Sequence, residues 1–127
     1  MSKEELIKQG KKVLTLQCKK EAFIDILEGR QKIEHRYIYP KNANMYVEQK
    51  ETDDDTEVTI LHYDYLYLIN GRRKDAPRLC VEVVDSEFVV MVDENGNDKI
   101  YIENGIEYVE CQVWYHLGNV IFSENIK

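Results

Sequence analysis

Lys32, Glu34 and Arg36 alternate with Ile33, His35 and Tyr37 just after Gly29. In a strand begun at Lys32 successive side chains point to opposite faces, so if Ile33 faces a core, these three charged residues share the other face. A cation, a carboxylate and a second cation then stand in a row beside a glycine turn. Such a row is either a solvated strand face, where one side of a sheet meets water, or a polar recognition site at the mouth of a small β-barrel. In the second case Glu34 and Arg36 offer complementary hydrogen bonds to a base edge and a phosphate.

Glu82 lies in the apolar run Arg78 to Val84. A carboxylate there must face water, pair with a cation or sit in a pocket, because an unpaired buried charge is costly. Asn70-Gly71 signals a tight turn. Arg72-Arg73-Lys74 follows as the densest basic cluster, which is either a solubilising loop tip or a phosphate contact. Tyr63, Tyr65 and Tyr67 recur at alternate positions, so on one strand they share a face that either stacks nucleobases or packs a core and its cross-strand neighbours.

No metal or cofactor is expected, because His35, His62 and His116 lack ligand spacing. No arrangement of Cys, Ser, His and Asp marks a nucleophile. Thr52-Asp53-Asp54-Asp55-Thr56 lacks the spaced ligands of an EF-hand and reads as a solvated turn.

Short elements must carry these residues. Ser2 to Lys12 reads as a short polar helix or a loose arm, and Val13, Leu14 and Leu16 as a strand. Phe23, Ile26 and Leu27 fall on one helical face. Gly29 stands just past them, where a left-handed cap ends the helix and hands the chain to the strand near Lys32. That strand runs to Pro40, which cannot donate to a ladder. Met45-Tyr46-Val47 and Phe88 to Val92 read as further strands, and Asn104-Gly105 as the turn of a hairpin. From Tyr108 to Leu117 the chain alternates, with Val109, Cys111, Val113 and Tyr115 on one face, and Gly118-Asn119 is expected to turn it into Val120-Ile121-Phe122.

A chain of 127 residues is one domain by size. The formal charge of -7 argues against an electrostatic grip on a long duplex, which needs a basic face. The acids crowd Glu51 to Glu57 and Asp93 to Asp98, and the remainder is close to neutral, so a pocket for one nucleoside or a short single strand is compatible with the balance. Cys18, Cys80 and Cys111 have no paired or metal-like spacing and read as reduced, partly buried thiols. No apolar run approaches the roughly 20 residues of a membrane helix. The N-terminus carries charges where a signal peptide needs an apolar stretch, so the chain is expected in the cytoplasm.

The order strand Val13 to Leu16, helix ending at Ile26-Leu27-Glu28-Gly29, then Lys32-Ile33-Glu34-His35-Arg36 resembles the ASCH domain of the PUA-like superfamily. The family's motif reads Gly-x-Lys-x-x-Glu/Thr-x-Arg. Gly29, Glu34 and Arg36 fit it, and Gln31 stands where lysine is usual, with Lys32 beside it. The resemblance covers Val13 to Phe122. It implies an α+β fold, a small PUA-like β-barrel with one or two short helices, formed by residues 13–127 behind an arm or helix of residues 1–12.

The resemblance also implies a cleft between helix and sheet at Gly29 to Arg36. Some ASCH proteins are amidohydrolases that deacetylate acetylated cytidine with the motif lysine, a threonine at the position of Glu34 and a glutamate on a later strand, for which Glu82 is the equivalent. This chain departs at two of those three positions, leaving Lys32, Glu34 and Glu82 as the only catalytic candidates. Glutamine cannot exchange a proton near neutral pH, and Glu34 is a weak nucleophile towards an amide.

The reading is therefore a binder of RNA or a nucleoside-like small molecule, with Gly29, Gln31, Lys32, Glu34, Arg36, Tyr65, Arg72, Arg73 and Glu82 as ligand-binding candidates. The alternatives are the amidohydrolase and a protein-interaction domain that presents the tyrosine row to a partner.

Overall fold

In the computed structural model, which describes residues 1–126, the N-terminal segment is a docked helix. Helix α1 (Lys3–Lys8) begins where the Ser2 hydroxyl accepts the Glu5 amide at 3.3 Å, satisfying a donor that the helix cannot pair internally. Leu6 is 2% exposed and packs with Tyr67 and Cys80.

Strand β1 (Val13–Gln17) leads into α2 (Lys20–Leu27), which buries Phe23 and Ile26. Gly29 adopts φ +80°, and the Arg30 and Gln31 amides both donate to Asp25 O, at 2.8 and 3.0 Å, closing the helix end. Gly29→Ala should therefore cost about 1 kcal/mol, the penalty of a side chain in the left-handed region. Only Lys32 Nζ, at 3.8 Å, stands near the added Cβ, so a lowered urea midpoint would report backbone strain and not a clash.

The chain continues through β2 (Ile33–Ile38), α3 (Ala43–Tyr46), β3 (Val47–Glu51) and β4 (Thr56–Ile60). The expected strand at Met45-Tyr46-Val47 is corrected to one helical turn followed by the first residue of β3. Ala43 and Tyr46, three apart, are both buried, a spacing that suits one helix face and not a strand. The acidic segment is a turn, with the Thr52 amide and hydroxyl each donating to Asp55 O at 2.8 Å.

β5 (Tyr65–Ile69), β6 (Arg78–Val90), β7 (Ile100–Glu103), β8 (Ile106–Val109) and β9 (Cys111–Glu124) complete the order. Phe88 to Val90 belongs to β6, so the separate strand expected there is a continuation. Gly118-Asn119 is not a turn either, because β9 runs straight through it. Asn104 and Gly105, at φ 53° and 77°, make the expected tight turn between β7 and β8.

The strands form a five-stranded sheet in the order β1-β5-β6-β9-β2 and two hairpins, β3-β4 and β7-β8. β1 runs parallel to β5, and β5 antiparallel to β6. With three short helices among the described residues, the architecture is α+β and rich in strand. Among the described residues no helix is long and apolar enough to cross a membrane.

Two compact units divide the chain: Met1–Glu34, His62–Asp85 and Tyr115–Lys127 in the first, His35–Leu61 and Ser86–Trp114 in the second. In the first, β5 is covered on both faces. Leu66 and Leu68, each 0% exposed, stand opposite Val81 and Leu79 of β6 on one face. Tyr67 and Cys80 meet Leu6 of α1 on the other.

The tyrosine row is corrected accordingly. Tyr63 precedes β5, Tyr65 packs on the Leu6 cluster, and Tyr67 is 5% exposed with its hydroxyl donating to Glu124 at 3.2 Å. Docking of α1 makes the Tyr67 ring part of a core face, with Tyr65 half-buried beside it, so Tyr67 is not offered to a partner. In the second unit the β7-β8 hairpin carries Tyr101 and Tyr108, which stack at 5.5 Å between ring centroids.

Candidate functional site

β2 alternates buried Glu34, exposed His35, half-buried Arg36, exposed Tyr37 and buried Ile38. Glu34, at 7% exposure, holds the inward position expected for Ile33. Glu34 and Arg36 are therefore not on a solvated strand face, whereas Lys32, just before β2, is exposed. Ile38 explains the phase: buried at 8%, it shares a face with Glu34 and Arg36, and burial of one end of a strand fixes the facing of the whole. On the outward side, the His35 ring meets Trp114 edge-on at 4.8 Å.

The turn before β2 is committed to its own backbone. Gln31 Nε2 donates to Ile33 O at 2.9 Å, so this carboxamide shapes the approach to Glu34. Lys32 is exposed, its carbonyl accepts the Leu117 amide at 2.8 Å, and its ammonium lies back over Gly29. Arg30, which motif reading passes over, pairs with Asp25 at 2.8 Å and with Glu28.

Glu82 belongs to a different arrangement. It is the cross-strand partner of Tyr65, and its Oε1 accepts the Asn119 amide at 2.8 Å. It lies over Gly118, where a Cβ would stand 3.0 Å from that oxygen and 2.9 Å from Val84 Cγ1. Leu117, bonded through its amide to Lys32, alternates with Gly118 and so faces the other way. Glu34, in phase with Lys32, thus belongs to the Leu117 side and Glu82 to the Gly118 side. The structure does not bring the two carboxylates together.

Arg72 and Arg73 lie on the exposed loop between β5 and β6, Arg73 at 3.8 Å from Asp75. That loop follows the Ile69 and Arg78 pair, at the opposite end of the β5-β6 ladder from Tyr65 and Glu82. At about 3.3 Å per residue, it is more than 10 Å from Glu82 along the strands. The basic cluster and Glu82 therefore do not share one small ligand.

One polar centre escaped motif reading because its parts are 52 positions apart: Asp64 Oδ2 accepts the Lys12 amide at 2.9 Å. Asp64 Oδ1 lies 3.0 Å from His62 Nε2. The Lys12 amide first, then the His62 ring, hold the Asp64 carboxyl below its ordinary value. A lowered folded pKa contributes stability above the unfolded value, about 3.9 for Asp, and that contribution is lost as pH falls through the folded value. Asp64→Ala should therefore flatten the loss of stability below about pH 4, seen by comparing urea midpoints at neutral and acid pH.

Burial pushes the Cys80 thiol up to about 12, with Glu124 adding to the shift, and also raises Cys111, so neither is a thiolate nucleophile at neutral pH. Among the described residues no group of three or more His, Cys, Asp or Glu converges as a metal ion requires. Comparison of the chain with protein-family models, curated proteins and solved structures finds no match in any of the three.

Proposed function

We propose that the chain is an RNA- or nucleoside-binding module of the ASCH type, a small PUA-like β-barrel, that takes its ligand on the Glu34 and Arg36 side of β2. The observation that carries this reading is Glu34, a carboxylate 7% exposed on a strand whose next inward residue is Arg36. A carboxylate accepts from the amino group of a base, and a guanidinium donates to phosphate or ribose oxygens. The net charge of -7 favours a nucleoside or a short single strand over a duplex.

Hydrolysis is the weaker alternative. Gln31 is bonded to Ile33 O, the Lys32 ammonium lies over Gly29, and Glu82 holds the Asn119 amide. A base and a nucleophile within hydrogen-bond reach of each other are what amide cleavage needs.

Calorimetric titration of cytidine, acetylated cytidine and a short single-stranded RNA tests the proposal. Binding of the RNA should weaken about tenfold in Glu34→Gln and in Arg36→Ala, as expected for one charge-assisted contact each, with no acetate released from acetylated cytidine. Unchanged affinity of Arg36→Ala for the RNA at every salt concentration would remove Arg36 from the site. Acetate release abolished by Glu82→Ala would establish the hydrolase instead.

A further inference from the structure

The second unit holds a cavity of about 400 Å³ to which neither Glu34 nor Arg36 contributes. Its floor is apolar: Ile38, Ala43 and Val47 are 8%, 7% and 3% exposed. The single turn of α3 allows this, turning Ala43 inward and delivering Val47 as the first residue of β3.

The walls are aromatic. Tyr101 and Tyr108 are cross-strand partners on β7 and β8, stacked at 5.5 Å with 24° between their planes. Tyr39 meets Tyr101 edge-on at 5.9 Å, and Phe88 of β6 adds a further ring. Tyr39 and Phe88 remain 41% and 37% exposed, so aromatic surface beside an apolar floor is left to water. Asn44 and Gln49, both exposed, place carboxamides among the lining residues. Among the described residues no Lys, Arg, His, Asp or Glu lines the cavity.

We propose that this cavity binds a neutral, planar heteroaromatic ring of the nucleobase class, packed against the tyrosine walls and read at its polar edge by Asn44 and Gln49. The volume falls at the lower end of the about 300–1,000 Å³ range of small-ligand sites. Tyrosine rings at right angles offer a face and an edge to a flat ligand, and base stacking on aromatics is tolerant of base identity. A carboxamide presents a donor and an acceptor side by side, the pattern that matches a base edge in a bidentate pair.

The lack of charge decides against other occupants. A phosphate or a carboxylate ligand would enter without a cation to meet it, and a plain hydrocarbon would leave both carboxamides unused. Neutrality is reinforced at two of the titratable groups in the wall, since burial raises both the Tyr101 hydroxyl and the Cys111 thiol. The inference goes beyond the β2 reading and does not rest on it.

Adenosine and cytidine, titrated into the intact chain at low and high salt by ligand-observed NMR, test it. At least one should bind with an affinity that salt does not change. Tyr39→Ala should weaken that binding about tenfold, and Asn44→Ala and Gln49→Ala should each weaken it several-fold. All three positions are exposed, so these variants keep the fold, and Arg36→Ala should leave this binding unchanged.

Failure of both nucleosides to bind would overturn the proposal. So would binding that falls with salt and with Arg36→Ala but is unmoved by Tyr39→Ala. Loss of the Arg36-dependent binding of RNA alone would overturn the β2 reading and leave this one standing.

Discussion

Leu68→Ala should lower the free energy of unfolding by about 3 kcal/mol, within the usual range for emptying a buried leucine site. Leu68 is 0% exposed and lies between Leu16 of β1 and Leu79 of β6, on a strand covered on both faces. The lost methyl groups leave a void that hydrogen-bonded strands cannot collapse to fill. A small domain has about 5–15 kcal/mol in all, so the melting temperature should drop by about 10 °C. The urea slope should stay constant, because the surface exposed on unfolding is nearly the same.

Tyr67→Phe, one residue away on the opposite face, is the control. It removes the hydroxyl, with its bond to Glu124 at 3.2 Å and its interaction with Arg78, keeps the ring, and should cost under about 1 kcal/mol. A Leu68→Ala penalty as small as that of Tyr67→Phe would mean that β5 is not the packed centre of its sheet.

β5 also shows what a sequence conveys and what it withholds. Apolar runs and alternation identified β1, β5 and the first part of β9, and Gly29 and Asn104-Gly105 announced their left-handed backbone, because both signals are local. The inward side of β2 was not legible. Ile33 and Ile38 are five apart and so point to opposite faces, and only tertiary packing chooses Ile38, carrying Glu34 inward with it. The turn of α3 was hidden because Met45-Tyr46-Val47 reads as an apolar strand unless the burial of Ala43 and Tyr46 is known. Asp64 looked unremarkable because its partner Lys12 is remote in the chain.

Gly118-Asn119 misled for a related reason. Glycine beside asparagine signals a turn when the backbone needs positive φ, yet here glycine answers to a close approach between strands. A Cβ at Gly118 would stand 2.9 Å from Val84 Cγ1, 3.0 Å from Glu82 Oε1 and 3.2 Å from Glu82 Cβ.

Gly118→Ala should therefore cost about 2 kcal/mol, the scale of overpacking in a well-filled site. Val84 is β-branched and stiff, and Glu82 Oε1 is fixed by the Asn119 amide at 2.8 Å, so neither yields cheaply. Val84 is 65% exposed, and Val84→Ala alone should change stability by less than about 0.5 kcal/mol. Combined with Gly118→Ala it should restore about half the loss, a coupling of about 1 kcal/mol in a double-mutant cycle. Additive effects would mean that the approach to Val84 is not what requires glycine.

Glu82→Ala carries the same logic to function. Loss of the acceptor for Asn119 should cost about 1 kcal/mol of stability. Nucleoside affinity should be retained, because Glu82 lies on the Gly118 side of the sheet and Glu34 on the other. A Glu82→Ala protein as stable as the parent but unable to bind would reverse that assignment and return Glu82 to the ligand.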